Sequence, residues 1–159
     1  MIPSLDLRDF IQPLEQFVLT GIQDFHAENP EVKITQISLY SCPWSGWVSL
    51  CFSKKIQQVL NCPDMDYVEF SLFEASAWTN VYEEHEQFHI VRHDGGVFEF
   101  DHNTMWDEDF NSSFFNLIGY VLKQQSVVKV IRSCIRNEIT VGVQMLDSKL
   151  NEVWELSDL

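Results

Sequence analysis

The feature that most constrains the fold is a change in the apolar periodicity near residue 30. Upstream of it, apolar side chains recur at spacings of three and four, which is typical of an amphipathic helix; they are Leu7, Phe10, Ile11, Leu14, Phe17, Val18, Ile22 and Phe25. Because proline is tolerated only in the first turn of a helix, Pro13 places the start near residue 9 or 10. We therefore predict a helix that runs to about Glu28 and is ended by Asn29 and Pro30.

From Ile34 the period is two, which is typical of half-buried strands. Alternation predicts one hairpin around Pro43–Gly46, a strand over 67–73, a second hairpin turning at Asp94-Gly95, and strands over 139–145 and 153–156. Helical spacing returns at 110–122 and, in another phase, at 127–135, so we expect a helix break near Ser126. Helices and strands in separate blocks predict an α+β fold, in which a largely antiparallel sheet packs against the N-terminal helix and one or two later helices.

The size and composition of the chain predict a single α+β domain over residues 1–159. Its 159 residues are 45% hydrophobic, which is enough for a core without disulfides or a metal. The four cysteines form no CxxC pair, so we expect reduced, mostly buried thiols at Cys42, Cys51, Cys62 and Cys134. The first twenty residues lack the pattern of a signal peptide, and no apolar run is long enough for a membrane span. These observations predict a cytoplasmic protein.

The charge of the chain excludes some classes of partner. The net charge is −14, and the stretch from Asp64 to Asp109 carries thirteen acidic residues against one base, Arg92. Such a surface repels phosphate, so we expect no direct nucleic acid and no membrane among the partners. Clustered like charges oppose folding through self-repulsion, which a basic protein partner relieves. The alternative is a solvated acidic face that only keeps the protein soluble.

The same stretch holds aromatic residues, which supply anchor area at interfaces and also fill cores. We predict a partner-binding surface made of these carboxylates and aromatic side chains: Asp64, Asp66, Glu69, Trp78, Tyr82, Glu83, Glu84, Glu86, Glu99, Asp101, Trp106, Asp107, Glu108 and Asp109.

Four histidines, His85, His89, His93 and His102, suggest a metal site at first sight. On strands, however, residues four apart lie about 13 Å from each other, which is too far to bind one ion. Only cross-strand neighbours, such as His89 with Asp101 or His102, could approach. The sequence also lacks the GxGxxG, GxxxxGK[ST], GxSxG and HExxH motifs. We therefore predict no metal, no cofactor and no catalytic residue; a small hydrolase with a Glu and His pair within residues 83–102 is the enzymatic alternative.

Two segments carry a resemblance to a known class of protein. Leu39–Leu50, LYSCPWSGWVSL, and Cys62–Phe70, CPDMDYVEF, resemble bacterial immunity proteins of polymorphic-toxin and contact-dependent growth-inhibition systems. The resemblance implies a stoichiometric inhibitor that does no chemistry itself and neutralises a cognate basic toxin domain, commonly a nuclease. The alternative is an acidic adaptor module. Trp44 and Trp47 suit an internal contact or a homodimer contact equally.

Overall fold

The computed structural model describes residues 2–54, 65–75, 78–103, 108–135, 138–146 and 148–159. Its strands are β1 (Ser4–Asp6), β2 (Gln36–Cys42), β3 (Trp47–Ser53), β4 (Met65–Ser71), β5 (Gln87–Val91), β6 (Val97–Asp101), β7 (Thr140–Met145) and β8 (Asn151–Glu155). Its α-helices are α1 (Ile11–Glu28), α2 (Glu108–Leu122) and α3 (Gln125–Cys134). Short 3₁₀ turns cover Leu7–Phe10, Pro43–Ser45, Leu72–Glu74 and Leu156–Asp158, and Trp78–Glu83 is a π-helical turn.

The strands form two sheets, with the orders β4-β3-β2-β7-β8 and β1-β5-β6. The pairs β2–β7 and β1–β5 are parallel and the other pairs are antiparallel. The fold is therefore α+β with mostly antiparallel sheets, as predicted, but the strands divide between two sheets. The second sheet consists of the predicted β5–β6 hairpin and of β1, a strand of three residues that is too short to show alternation in the sequence.

Helix α1 buries the predicted apolar stripe, including Leu14, Val18, Ile22 and Phe25. The 3₁₀ turn at Leu7–Phe10 precedes it, so the regular helix begins one or two residues later than predicted. Full burial of one such side chain contributes about 1.5–3 kcal/mol. This stripe is therefore a main source of the stability that holds α1 on the five-stranded sheet.

Both predicted hairpins are confirmed. Strands β2 and β3 pair through a 3₁₀ turn that ends at Gly46, whose φ of 73° favours glycine. Within that turn, the Trp44 ring lies 4.7 Å from the Phe110 ring and 5.6 Å from the Phe100 ring. Trp44 thus makes an internal contact that connects the larger sheet to the smaller sheet and α2. The second hairpin, β5–β6, turns at Gly95, whose φ is 93°.

The later elements agree with the periodicity in outline. The break between α2 and α3 falls at Lys123–Gln124, close to the predicted position near Ser126. Strand β4 differs from the predicted strand over 67–73, because alternation places Val68 with the apolar residues Phe70 and Leu72, yet Val68 is 38% exposed. β4 is an edge strand of the larger sheet, so its side chains are covered on fewer sides.

Cys51 is buried, whereas Cys42 and Cys134 are half-buried; all three are free thiols, and Cys62 lies outside the described residues.

Two buried helical glycines provide a matched pair of stability predictions. A β-carbon at Gly21 would overlap the δ-methyl group of buried Leu50, whereas one at Gly119 would meet no atom within 4 Å. We expect Gly21→Ala to lower the free energy of unfolding by about 1–2 kcal/mol, because overpacking outweighs the gain in helix propensity. Gly119→Ala should raise it by about 0.5–1 kcal/mol. Urea unfolding measures both changes, and a stabilising Gly21→Ala substitution would contradict the close helix–sheet contact.

Candidate protein-interaction surface

The structure distributes the predicted acidic residues over three places. Asp66 and Glu69 lie on β4 of the larger sheet, and Glu108 and Asp109 lie in the first turn of α2. The remaining carboxylates belong to the segment 83–86 and to β6: Glu83, Glu84, Glu86, Glu99 and Asp101. Asp64, Trp106 and Asp107 lie outside the described residues.

The β5–β6 hairpin brings together the carboxylates of the segment 83–86 and of β6. The segment that precedes β5 is attached to the end of β6 at His102, whose backbone N–H donates to the Glu86 carbonyl oxygen at 2.9 Å. The Nε2 atom of His102 also lies 2.6 Å from the carbonyl oxygen of Tyr82. These contacts place the segment 83–86 beside the strand that carries Glu99 and Asp101. We call Glu83, Glu84, Glu86, Glu99 and Asp101 the acidic hairpin surface.

Two carboxylates of the acidic hairpin surface contact polar neighbours. Asp101 accepts hydrogen bonds from the Asn103 backbone N–H at 2.8 Å and from the Gln87 side-chain amide at 3.0 Å. These hydrogen bonds lower the pKa of Asp101, so the group is an anion at neutral pH. Glu99 lies opposite His89, with 3.6 Å between Oε1 and Nε2, and its side chain is 82% exposed.

The other three carboxylates are exposed and have no basic partner in the described part of the chain. The ion pairs found there do not involve Glu83, Glu84 or Glu86. The one base of the acidic stretch, Arg92, lies 3.8 Å from Asp109 and stacks on the Phe98 ring. The acidic hairpin surface therefore presents several negative charges that no lysine or arginine of the described residues neutralises.

Three of the acidic residues outside the hairpin, Asp66, Glu108 and Asp109, have local structural roles. Glu108 and Asp109 lie at the N-terminus of α2, where negative charge stabilises a helix through its macrodipole. Asp66 accepts a hydrogen bond from the Cys51 thiol, with 2.9 Å between Oδ1 and Sγ. Burial and this carboxylate raise the pKa of Cys51, so the thiol stays protonated and donates. These side chains are exposed or close to the surface, but they belong to different elements from the acidic hairpin surface.

Trp78 and Tyr82 correct the prediction of aromatic surface anchors. Trp78 is 0% exposed and Tyr82 is 6% exposed. The Trp78 ring lies 5.9 Å from Phe10 and 5.4 Å from Phe114, and 4.2 Å from the Tyr82 ring. Both are core residues because the π-helical turn at Trp78–Glu83 directs them toward α2 and the chain preceding α1. Their spacing of four residues in the sequence was the signal that they share one face.

A different apolar side chain is exposed beside the carboxylates. Val97 is 57% exposed and lies at the start of β6, where alternation puts it on the same face as Glu99 and Asp101. The prediction from sequence omitted Val97, although the alternation of residues 97–101 was visible. Protein interfaces combine apolar contacts with a polar rim, and an exposed valine beside carboxylates is compatible with that arrangement.

The histidines do not converge on one point. The register pairs His89 with Glu99 rather than with Asp101, and the His93 ring packs at a tilt against Tyr120 with 5.1 Å between the ring centroids. His102 bonds to the Tyr82 carbonyl oxygen. Across the ranges that the structure describes, no group of three or more His, Cys, Asp or Glu side chains could hold a metal ion.

Comparison with protein-family models, curated proteins and solved structures finds no match to this chain. Among the described helices, none has the length and apolar character needed to cross a membrane.

Proposed function

We propose that this chain is a cytoplasmic immunity protein that binds and neutralises a cognate basic toxin domain. The acidic hairpin surface is the contact, and a nuclease is the expected class of toxin. The observation that carries the proposal is the position of Glu83, Glu84 and Glu86 beside β6, exposed and without a basic partner in the described ranges. The resemblance of Leu39–Leu50 to immunity proteins of growth-inhibition systems gives independent support.

The arrangement of the charges supports a protein partner more than a solubility role. Negative charges that are held close together repel each other, and a solubility role does not require them to cluster. The positive charges of a basic partner offset that repulsion. The attraction between the two opposite surfaces also accelerates the association of the two proteins. Exposed Val97 adds an apolar contact within the same face. The acidic hairpin surface thus combines clustered negative charge with an exposed apolar side chain, which supports a contact with a basic protein.

A nuclease fits this surface because enzymes that hold nucleic acids bind phosphates through lysine and arginine side chains. Carboxylates placed against those side chains occupy the positions of the phosphates or cover the cleft. Inhibition by this route needs one immunity protein for each toxin molecule and no catalytic group. It requires that the carboxylates keep their charge, as the lowered pKa of Asp101 ensures for that residue.

The proposed function is tested by affinity capture followed by titration calorimetry. The purified protein is immobilised and exposed to a lysate that expresses the neighbouring open reading frames, and each retained protein is then titrated in purified form. We expect a one-to-one complex with a basic toxin domain at a nanomolar Kd, and loss of toxin activity at equimolar protein. Weak retention of many basic proteins would support the adaptor alternative, and turnover of a substrate by the purified chain would support the hydrolase alternative; either result contradicts the proposal.

A further inference from the structure

A groove of about 630 Å³ lies between α1 and the edge strand β4. One wall is a stripe along α1 that includes Phe17, Thr20 and Asp24, and the other wall is formed by Tyr67 and Val68. The groove shares no residue with the acidic hairpin surface. It is therefore a separate feature, and the function proposed above does not account for it.

The backbone explains why a groove forms here. Without a side chain at Gly21, α1 lies close to β3, and the groove opens beside this contact. On the other side, the register between β3 and β4 shifts: Leu50 pairs with Val68 and Cys51 pairs with Asp66, so Tyr67 is the extra residue of a β-bulge. A bulge redirects the side chain of the extra residue. Here it brings Tyr67 toward α1.

Tyr67 is fixed in that position by aromatic and polar contacts. Its ring lies edge-on to Phe25 at 5.2 Å, and its hydroxyl donates a hydrogen bond to Glu28 Oε2 at 2.6 Å. This hydrogen bond, together with the negative charges of Glu28 and Asp24, raises the pKa of Tyr67 to about 12. Asp24 and Glu28 are four residues apart on α1, so they lie on the same face of the helix and form one negative end of the groove.

The remaining lining is apolar or uncharged. The Phe17 ring packs against Phe70 at 5.5 Å, and Val68 is 38% exposed beside it. The lining residues include two carboxylates, Asp24 and Glu28, and no lysine or arginine. A ligand that fits this lining has an apolar part next to a positive charge.

We propose that the α1–β4 groove docks a basic amphipathic segment of a protein partner. The segment places an apolar side chain against Phe17 and Val68, and a lysine or arginine of the segment reaches Asp24 and Glu28. Charge complementarity selects this occupant: an acidic or purely apolar segment would leave the two carboxylates without a counter-charge. This docking site goes beyond the proposed toxin contact and does not depend on it.

The test uses a fluorescein-labelled helical peptide of leucine and lysine, about fourteen residues long, with its leucines on one face. Fluorescence anisotropy measures its binding to the intact chain. Thr20→Trp fills the groove without changing the charge, and Asp24→Asn with Glu28→Gln removes the two negative charges. Glu83→Gln with Glu84→Gln is the control, because it removes the same charge from the acidic hairpin surface.

We expect Thr20→Trp and the Asp24/Glu28 pair each to weaken peptide binding about tenfold, whereas the control pair should change it less than about threefold. Equal losses for the two charge pairs, no effect of Thr20→Trp, or no binding of the peptide would overturn the proposal. Circular dichroism and urea unfolding verify that each variant folds, and Thr20→Phe replaces Thr20→Trp if the larger ring prevents folding. Toxin neutralisation is measured separately, so a failure of the proposed function is distinguishable from a failure of the groove.

Discussion

Replacement of Trp78 by alanine is expected to lower the free energy of unfolding by about 3–5 kcal/mol. Trp78 is fully buried, and its ring contacts Phe10 before α1, Phe114 in α2 and Tyr82 in its own π-helical turn. Removal of the indole ring leaves a cavity where three parts of the chain meet. Because domains of this kind are stable by about 5–15 kcal/mol, this loss is a large fraction of the total stability of the fold.

Urea unfolding followed by circular dichroism measures this loss. Val97→Ala is the control, because Val97 is the most exposed large apolar side chain described, and its truncation should change the stability by less than about 0.5 kcal/mol. A Trp78→Ala variant that keeps the stability of the wild type and loses only partner affinity would contradict the placement of Trp78 in the core. That behaviour is expected of a surface anchor.

The sequence predicted long periodic elements well because each of them repeats its signal many times. Helix α1 shows the spacing of three and four over five turns, and its observed start differs from the prediction by one or two residues. The β5–β6 hairpin has alternation on both sides of an Asp-Gly turn. Strand β1 has three residues, and its pairing with β5 involves parts of the chain more than eighty residues apart. No local pattern contains that information.

The negative charge of the candidate surface could be predicted from the sequence. Which carboxylates lie close together could not. The carboxylates of the acidic stretch are at or near the surface wherever the structure describes them, because ionised side chains are rarely buried without a partner. Which of them lie together depends on topology: Asp66 belongs to the larger sheet, whereas Glu99 belongs to the smaller one. The β-bulge at Tyr67 was equally hidden, since a shift of register leaves no mark on the composition of a strand.

Reversal of charge at Glu83, Glu84 and Glu86 is expected to slow association with the toxin domain by about 10- to 100-fold at low salt. The variant carries Glu83→Lys, Glu84→Lys and Glu86→Lys, which places three positive charges next to Glu99 and Asp101. The dependence of the association rate on salt should also become weaker, because steering by exposed charges is screened over about 8 Å at physiological ionic strength. Stopped-flow kinetics over a salt series measures both quantities.

A control variant distinguishes the effect of where the charges lie from the effect of the net charge of the protein. Glu31→Lys, Glu138→Lys and Asp158→Lys change the net charge by the same amount at exposed residues outside the acidic hairpin surface. We expect this variant to slow association much less, because screening confines the effect of each charge to its neighbourhood. Equal slowing by both variants would show that net charge alone attracts the toxin, and would remove the acidic hairpin surface as the contact. A large difference between the variants, with a one-to-one complex in both, is the result that a local electrostatic interface requires.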